Sequence, residues 1–196
     1  MSRNFLLWVD LETTGTDARL DPILEVGAIL TGSNYPFEEV FEYEAVCDPG
    51  TFDWQDRLGD YVRDMHTKNG LLDDIGKPGA ISLAQAETDL LALLTARGKP
   101  RQFMLAGSGT SHFDRRFIDV QMPRLGGYLH FPNFDVGVVR RLVAAAGRDD
   151  LKSAGLTYEG DAYTDKPHRG LADVRDHLAE CRAYCEMFRS MPGGGA

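Results

Sequence analysis

The sequence predicts an α/β fold: three antiparallel strands, two further strands interleaved with helices, and a long closing helix. Three observations carry this. Phe5-Leu6-Leu7-Trp8-Val9 is an unbroken apolar run, the signature of a central strand buried on both faces. Residues 23–30 and 40–46 are two more strand-like segments, the second alternating polar and apolar residues as a half-exposed strand does, and together the three suggest an antiparallel meander. Leu171, Val174, Leu178, Cys181, Cys185 and Phe188 recur at three- and four-residue steps, which is the core stripe of an amphipathic helix beginning near Gly170.

The intervening elements follow in order. The first strand runs into Asp10-Leu11-Glu12, where period-two alternation puts both acids on one side if the chain stays extended, and Thr13-Thr14-Gly15 then closes it with turn chemistry. Residues 52–75 mix apolar and polar residues and suggest short helices. Ser82-Leu83-Ala84-Gln85 has capping-box spacing and opens a helix to about residue 97. Residues 102–106 form a short buried strand. Gly107-Ser108-Gly109-Thr110-Ser111 reads as a flexible turn into a helix near Asp114, which Pro123 interrupts. Phe134-Asp135-Val136 is a brief strand, followed by a helix over 138–146. Residues 149–166 read as loop with short helical pieces, and 191–196 as a disordered tail. One domain over residues 1–190 suits a chain of 196 residues.

Composition narrows the function. Hydrophobic content of 43% and charge of 26% are those of an ordinary globular protein. Cys47, Cys181 and Cys185 lack CxxC spacing, so core packing is expected rather than zinc. The N-terminus lacks the features of a secretory leader, no stretch approaches 18 apolar residues, and a cytoplasmic location is expected. A net charge of −9 argues against coating long nucleic acid, which calls for a basic stripe. It leaves room for a nuclease working on short substrates in one pocket.

The chemistry sits in five residues. Asp10 and Glu12 end the first strand, Asp114 lies in Phe113-Asp114-Arg115-Arg116-Phe117, and His168 and Asp173 lie in His168-Arg169-Gly170-Leu171-Ala172-Asp173. Each alone is weak: an acid pair at a strand end is commonly a cap or turn, and Asp114 could simply face a helix dipole. Four carboxylates together exceed the needs of ion pairing and match those of two hard divalent cations, Mg²⁺ or Mn²⁺, which take oxygen ligands and leave room for phosphate. His168 and Asp173 are five apart, about 140° around a helix, so His168 belongs on the loop before the helix and Asp173 in its first turn. Gly170 would allow close backbone approach there.

In this order the set resembles the DEDDh family of 3′-to-5′ exonucleases, of the ribonuclease H-like exonuclease superfamily, and within it the oligoribonucleases. Trp8-Val9-Asp10-Leu11-Glu12-Thr13-Thr14-Gly15 is similar to the first motif and Ile23-Leu24-Glu25-Val26 to the strand after it. Val62 to Leu71, containing His66, is similar to a substrate-side segment. Phe113 to Phe117 with Met122-Pro123 is similar to the second motif, and His168 to Asp173 fits the third, with Gly170 in place of the usual alanine. The resemblance implies a ribonuclease H-like sheet with two parallel strands beside the antiparallel three. It implies that Asp10, Glu12, Asp114 and Asp173 hold two ions and that His168 is the general base on the attacking water. Products would be nucleoside 5′-monophosphates, and activity should fall in acid as the imidazole takes a proton.

The same resemblance implies that Leu11, Thr13, Thr14, His66 and Thr110 line the substrate side. Gly109-Thr110 stands where the family usually carries asparagine or histidine. Partners would be short single-stranded RNA or DNA, RNA preferred, and a second copy in a homodimer. Family members cap a dinucleotide's terminal phosphate with a tyrosine-arginine pair from the partner subunit; Phe131 and Pro132 stand there in this chain. Proline cannot reproduce arginine's two-pronged grip, so longer RNA or DNA ends are expected as substrates. The alternatives are a proofreading or trimming DNA exonuclease and a non-catalytic nucleic-acid-binding module on the same fold. Trp8 is expected in the core, Asp135, Arg115 and Arg116 in structural roles, and Asp73-Asp74 as a solvated surface pair.

Overall fold

A computed structural model describes residues 4–51, 53–147 and 168–191. The strands are β1 (Phe5–Thr13), β2 (Ile23–Gly32), β3 (Glu39–Val46), β4 (Phe103–Gly107) and β5 (Asn133–Asp135). They form one sheet in the order β3-β2-β1-β4-β5. The β1–β2 and β2–β3 pairs are antiparallel, as in a meander, while β1–β4 and β4–β5 are parallel. A 3₁₀ turn at Trp54–Arg57 and helices α1 (Asp60–Lys68), α2 (Leu71–Ile75) and α3 (Leu83–Thr95) fill the stretch between β3 and β4. Helices α4 (Asp114–Gln121) and α5 (Pro123–Tyr128) join β4 to β5, and α6 (Val136–Ala145) and α7 (Gly170–Ser190) follow.

The pleat of β1 sorts the core into two layers. Leu7, Val9 and Leu11 face Ala86, Leu90 and Leu94 of α3 and Phe117, Ile118 and Leu125 of α4 and α5. Leu6 and Trp8 face the other way, onto Val136 and Val143 of α6 and Leu171, Val174, Leu178, Cys181 and Tyr184 of α7. Trp8 is fully buried; its indole N–H donates to Thr31 Oγ1 at 3.0 Å, and Phe37 and Phe134 meet it edge-on. Even-numbered side chains of β1 therefore face α7, and that parity decides where Asp10 and Glu12 point.

Most sequence expectations match these elements. Pro123 stands at the first position of α5 and ends α4 two residues earlier, because it has no N–H to continue the ladder. Ser82 caps α3 by accepting the Gln85 N–H, but the Gln85 side chain turns to Asp89 at 2.7 Å, so only half of the capping box forms. Helix α6 starts at Val136, two residues before its expected start.

Two expectations need correcting. The 107–111 segment is tied down: Gly109 and Ser111 donate their N–H groups to the Asp135 carboxylate at 3.1 and 3.4 Å, and Thr110 is buried. In α7 the expected stripe holds through Cys185, which packs half-buried on the core beside Tyr184, but its last member Phe188 is exposed. The loop expected over 149–166 and residues 192–196 of the expected tail lie outside the described residues. No described helix is long and apolar enough to cross a membrane.

Candidate active site

Strand β1 outruns its parallel neighbour. Pairing with β4 spans Phe5–Phe103 to Trp8–Ala106, whereas pairing with β2 continues to Thr13. Past Trp8 β1 has no ladder partner on the β4 side, at the carboxyl ends of two parallel strands, where α/β sheets collect ligands. Asp114, at the start of α4, reaches this edge and accepts the Leu11 N–H at 3.1 Å. The second acidic motif is thus stitched to the first.

On the α7 side, Asp10 sits opposite Gly27 and Glu12 opposite Glu25 in the antiparallel register, so all four positions share one face. Gly27 presents no side chain, and the first turn of α7 lies in the space: a methyl placed on Gly27 would stand 2.1 Å from the Gly170 carbonyl carbon, and one on Gly170 would stand 2.7 Å from the Gly27 nitrogen and 3.0 Å from the Asp10 oxygen. The close approach expected at Gly170 is therefore present, and with the two backbones as they lie in this chain neither position has room for a methyl. His168 lies on the loop before α7, and Asp173 in its first turn.

The result is a cluster. Glu12, His168 and Asp173 each bring one ligand atom within 4.8 Å of the others. Asp10, half-buried, is two residues before Glu12 on the same strand face, and Asp114 is fixed one residue away at Leu11. Burial raises the Glu12 carboxyl from 4.5 to about 9, aided by the charges of Asp173, Glu25 and Asp114 and opposed by Arg169. Burial likewise lifts Asp114 from 3.8 to about 7, against the pull of its own N–H and that of Leu11. The Thr110 hydroxyl beside it also opposes the rise. So much converging negative charge favours either protons or a cation. Three close oxygen and nitrogen donors with further carboxylates alongside fit a hard divalent ion.

The expected substrate-side residues surround this cluster but are buried: Leu11, Thr13, Thr14, His66 and Thr110 are each at most 6% exposed. Thr13 donates its hydroxyl to the Gly15 carbonyl at 2.6 Å. The His66 Nε2–H donates to the Thr13 carbonyl at 3.2 Å and lies 3.8 Å from Glu12 Oε2. Burial lowers the His66 pKa, keeping it neutral behind Glu12. Arg115 pairs with Asp119 and donates to the His130 carbonyl, a structural role. Asp135 braces the 107–111 segment. Phe131 is 83% exposed and stacks beside His130.

A second layer went unread in the sequence. Glu25, with a fully buried side chain, accepts from Arg169 at 2.9 and 2.6 Å and from the Gly170 N–H at 2.7 Å. Arg169 also pairs with Asp74 at 2.9 Å, so Asp74 is not the solvated surface residue expected; the guanidinium draws it inward. Asn69 Nδ2 donates to the His168 carbonyl at 2.6 Å. His168 itself has φ of +45°, a left-handed conformation costing a residue with a Cβ about 1–2 kcal/mol. The signal was available: a glutamate inside Ile23-Leu24-Glu25-Val26 needs a buried cationic partner.

Known proteins resemble this chain in sequence and in fold. No family model matches the chain. An oligoribonuclease of Leifsonia xyli is 32% identical, over 98% of this chain and 88% of that protein. One from Chromobacterium violaceum is 32% identical over 94% of this chain and 96% of its own length. The chain belongs to the oligoribonuclease family. Among solved structures, exonuclease I from Methylocaldum szegediense superposes with a TM-score of 0.67 at 18% identity, over 95% of this chain and 41% of that one. E. coli exonuclease I bound to a dT13 oligonucleotide gives 0.64 at 16% identity, over 96% and 42%. The chain spans about two fifths of the length of exonuclease I, and the shared part is the ribonuclease H-like exonuclease fold. The oligoribonuclease family is thus reached from sequence identity, and the fold from superposition.

Proposed function

We propose that this chain is a metal-dependent 3′-to-5′ exonuclease that removes nucleoside 5′-monophosphates from short single-stranded oligonucleotides, RNA preferred. The observation carrying this is the meeting of Glu12, His168 and Asp173 within 4.8 Å, in a chain belonging to the oligoribonuclease family. Asp10, Glu12, Asp114 and Asp173 would hold Mg²⁺ or Mn²⁺. When bound, the ions supply charge neutralisation and Lewis acidity at the scissile phosphate.

The chain's own residues do the rest. His168, at the mouth of the cluster and partly exposed, takes a proton from the attacking water. The water oxygen bonds to phosphorus, the bond from phosphorus to the 3′ oxygen breaks, and that oxygen leaves with a proton. The phosphate stays on the released nucleotide. The chain end would meet the carboxyl end of β1 beyond Trp8, and buried His66, Thr13 and Thr14 keep the wall behind Glu12 dry. Three free thiols suit a reducing, cytoplasmic setting.

Purified protein with Mn²⁺ and a 5′-labelled RNA pentamer should give a descending ladder. No ladder, or equal activity in Asp10→Ala, ends the proposal. A second reading, a DNA-trimming exonuclease, is favoured by the fold shared with DNA-bound exonuclease I and by Pro132 in the expected cap region. RNA and DNA series from two to about ten nucleotides, compared by initial rate, decide between them; two ions and one catalytic base serve either sugar equally.

A further inference from the structure

We propose that Asn69, Arg169 and Glu25 are positioning residues for the hydrolysis: they hold the His168 backbone in its left-handed conformation and fix the first turn of α7, which carries Asp173. This rests on the functional reading above and adds residues to it.

The three residues preceding and opening α7 are each tied to a side chain of another element. The His168 carbonyl takes the Asn69 side-chain N–H, Arg169 bridges Glu25 and Asp74, and the Gly170 N–H ends on Glu25. Helix α7 has no side-chain cap from its own Arg169; a carboxylate on β2 caps it instead. An ordinary helix start needs one such acceptor. Here the anchors come from β2, the α1–α2 junction and α2, and they hold the residue with the unfavourable φ and the two that follow it. Strained backbone persists only where its surroundings over-determine it, and such strain gathers at reacting sites.

The wiring continues to the acids. Glu25 sits opposite Glu12 in the β1–β2 register, and the Asp173 N–H donates to the Arg169 carbonyl at 2.9 Å. One guanidinium thus sets the seat of Asp173 through its backbone, while its carboxylate partner flanks Glu12. Asn69 does double duty: its Oδ1 accepts the Leu71 N–H at 3.0 Å, which fixes the amide's orientation and aims Nδ2 at His168. Lys77 shares Asp74 from the solvent side.

The test uses Asn69→Ala and Arg169→Lys, the latter keeping the charge on Glu25 while losing the fork. Arg175→Ala, which breaks an exposed pair with Glu42, is the control. Four quantities are measured: kcat, KM, Tm and Mn²⁺ affinity by electron paramagnetic resonance. Both variants should lose about 10–100-fold in kcat, as outer partners of metal ligands do, with KM within about threefold. Arg169→Lys should also weaken Mn²⁺ binding by a factor in that range, and the control should match the wild type. In a His168→Ala background Asn69→Ala should cause no further loss, because its effect runs through His168. Wild-type kcat in both variants, or an equal loss with and without His168, overturns the proposal. Should the wild type hydrolyse nothing, the functional reading fails by itself, and unchanged Mn²⁺ affinity in Arg169→Lys then overturns the positioning role.

Discussion

Gly27 and Gly170 touch backbone to backbone, and this contact sets Asp173 beside Glu12. A side chain at either position would have to push α7 away from the sheet. Gly27→Ala places a methyl 2.1 Å from the Gly170 carbonyl carbon, with only backbone available to move. The variant should lose about 1–3 kcal/mol of stability, the cost of overpacking. Its activity should fall further than its melting temperature indicates, since the displaced turn carries a ligand. Thermal denaturation alongside initial rates checks both; full activity would mean the helix shifts freely.

The raised Glu12 and Asp114 carboxyls make the cation-free protein sensitive to alkali. A carboxyl whose folded value is about 9 binds a proton that the unfolded chain has released above 4.5, so stability falls as pH rises through that window. The melting temperature in chelator should therefore drop steadily from pH 5 to pH 9. Glu12→Gln, which cannot ionise, should flatten the slope and melt higher than the parent at pH 8. Saturating Mn²⁺ should reverse the parent's trend, because binding the ion requires the ionised form. A flat profile in chelator would show that these carboxyls are ionised at little cost.

Activity should vanish in chelator and return with Mg²⁺ or Mn²⁺. Asp173→Asn should abolish it through the cation site, and His168→Ala should lower kcat by about 10²–10⁴-fold, the usual value of a positioned base. Mn²⁺ affinity separates the two, falling sharply in the first and little in the second. Equal Mn²⁺ affinity in Asp173→Asn and the parent would remove Asp173 from the site.

Glu87 offers the opposite case, a buried carboxylate away from the cluster. It accepts the Arg124 and Leu125 N–H groups at 2.8 and 3.1 Å and pairs with the Arg124 side chain. Glu87→Ala leaves those donors at the start of α5 without their partner and should cost about 1–3 kcal/mol. The turnover rate should stay within about twofold. A large loss of rate would show that α5 communicates with the site.

What could be read from residues alone was the set of groups with strong local signals. The apolar run of β1, the stripe of α7 and the turn at Pro123 each follow from the chemistry of neighbouring positions, and all three are present. The five acidic and imidazole residues were legible because no ordinary structural role needs four carboxylates spread in that order. Glu25, Arg169 and Asn69 were not: their partners lie 144 and 99 residues apart in the chain, and only the folded register brings them together. Asp74 failed for the same reason, since its partner arrives from the far end of the sequence. Phe188 has the spacing of a core residue and is exposed, because a helical repeat marks a stripe without saying which of its positions meet a partner.

Strand β1 is both the spine of the interior and the mount for Asp10 and Glu12, with side chains alternating strictly between two layers. Inserting or deleting one amino acid between Phe5 and Val9 would thus turn both acids to the wrong side while swapping the inner layers. Length changes in this protein should be confined to its connecting segments, and the five residues from Phe5 to Val9 should tolerate none.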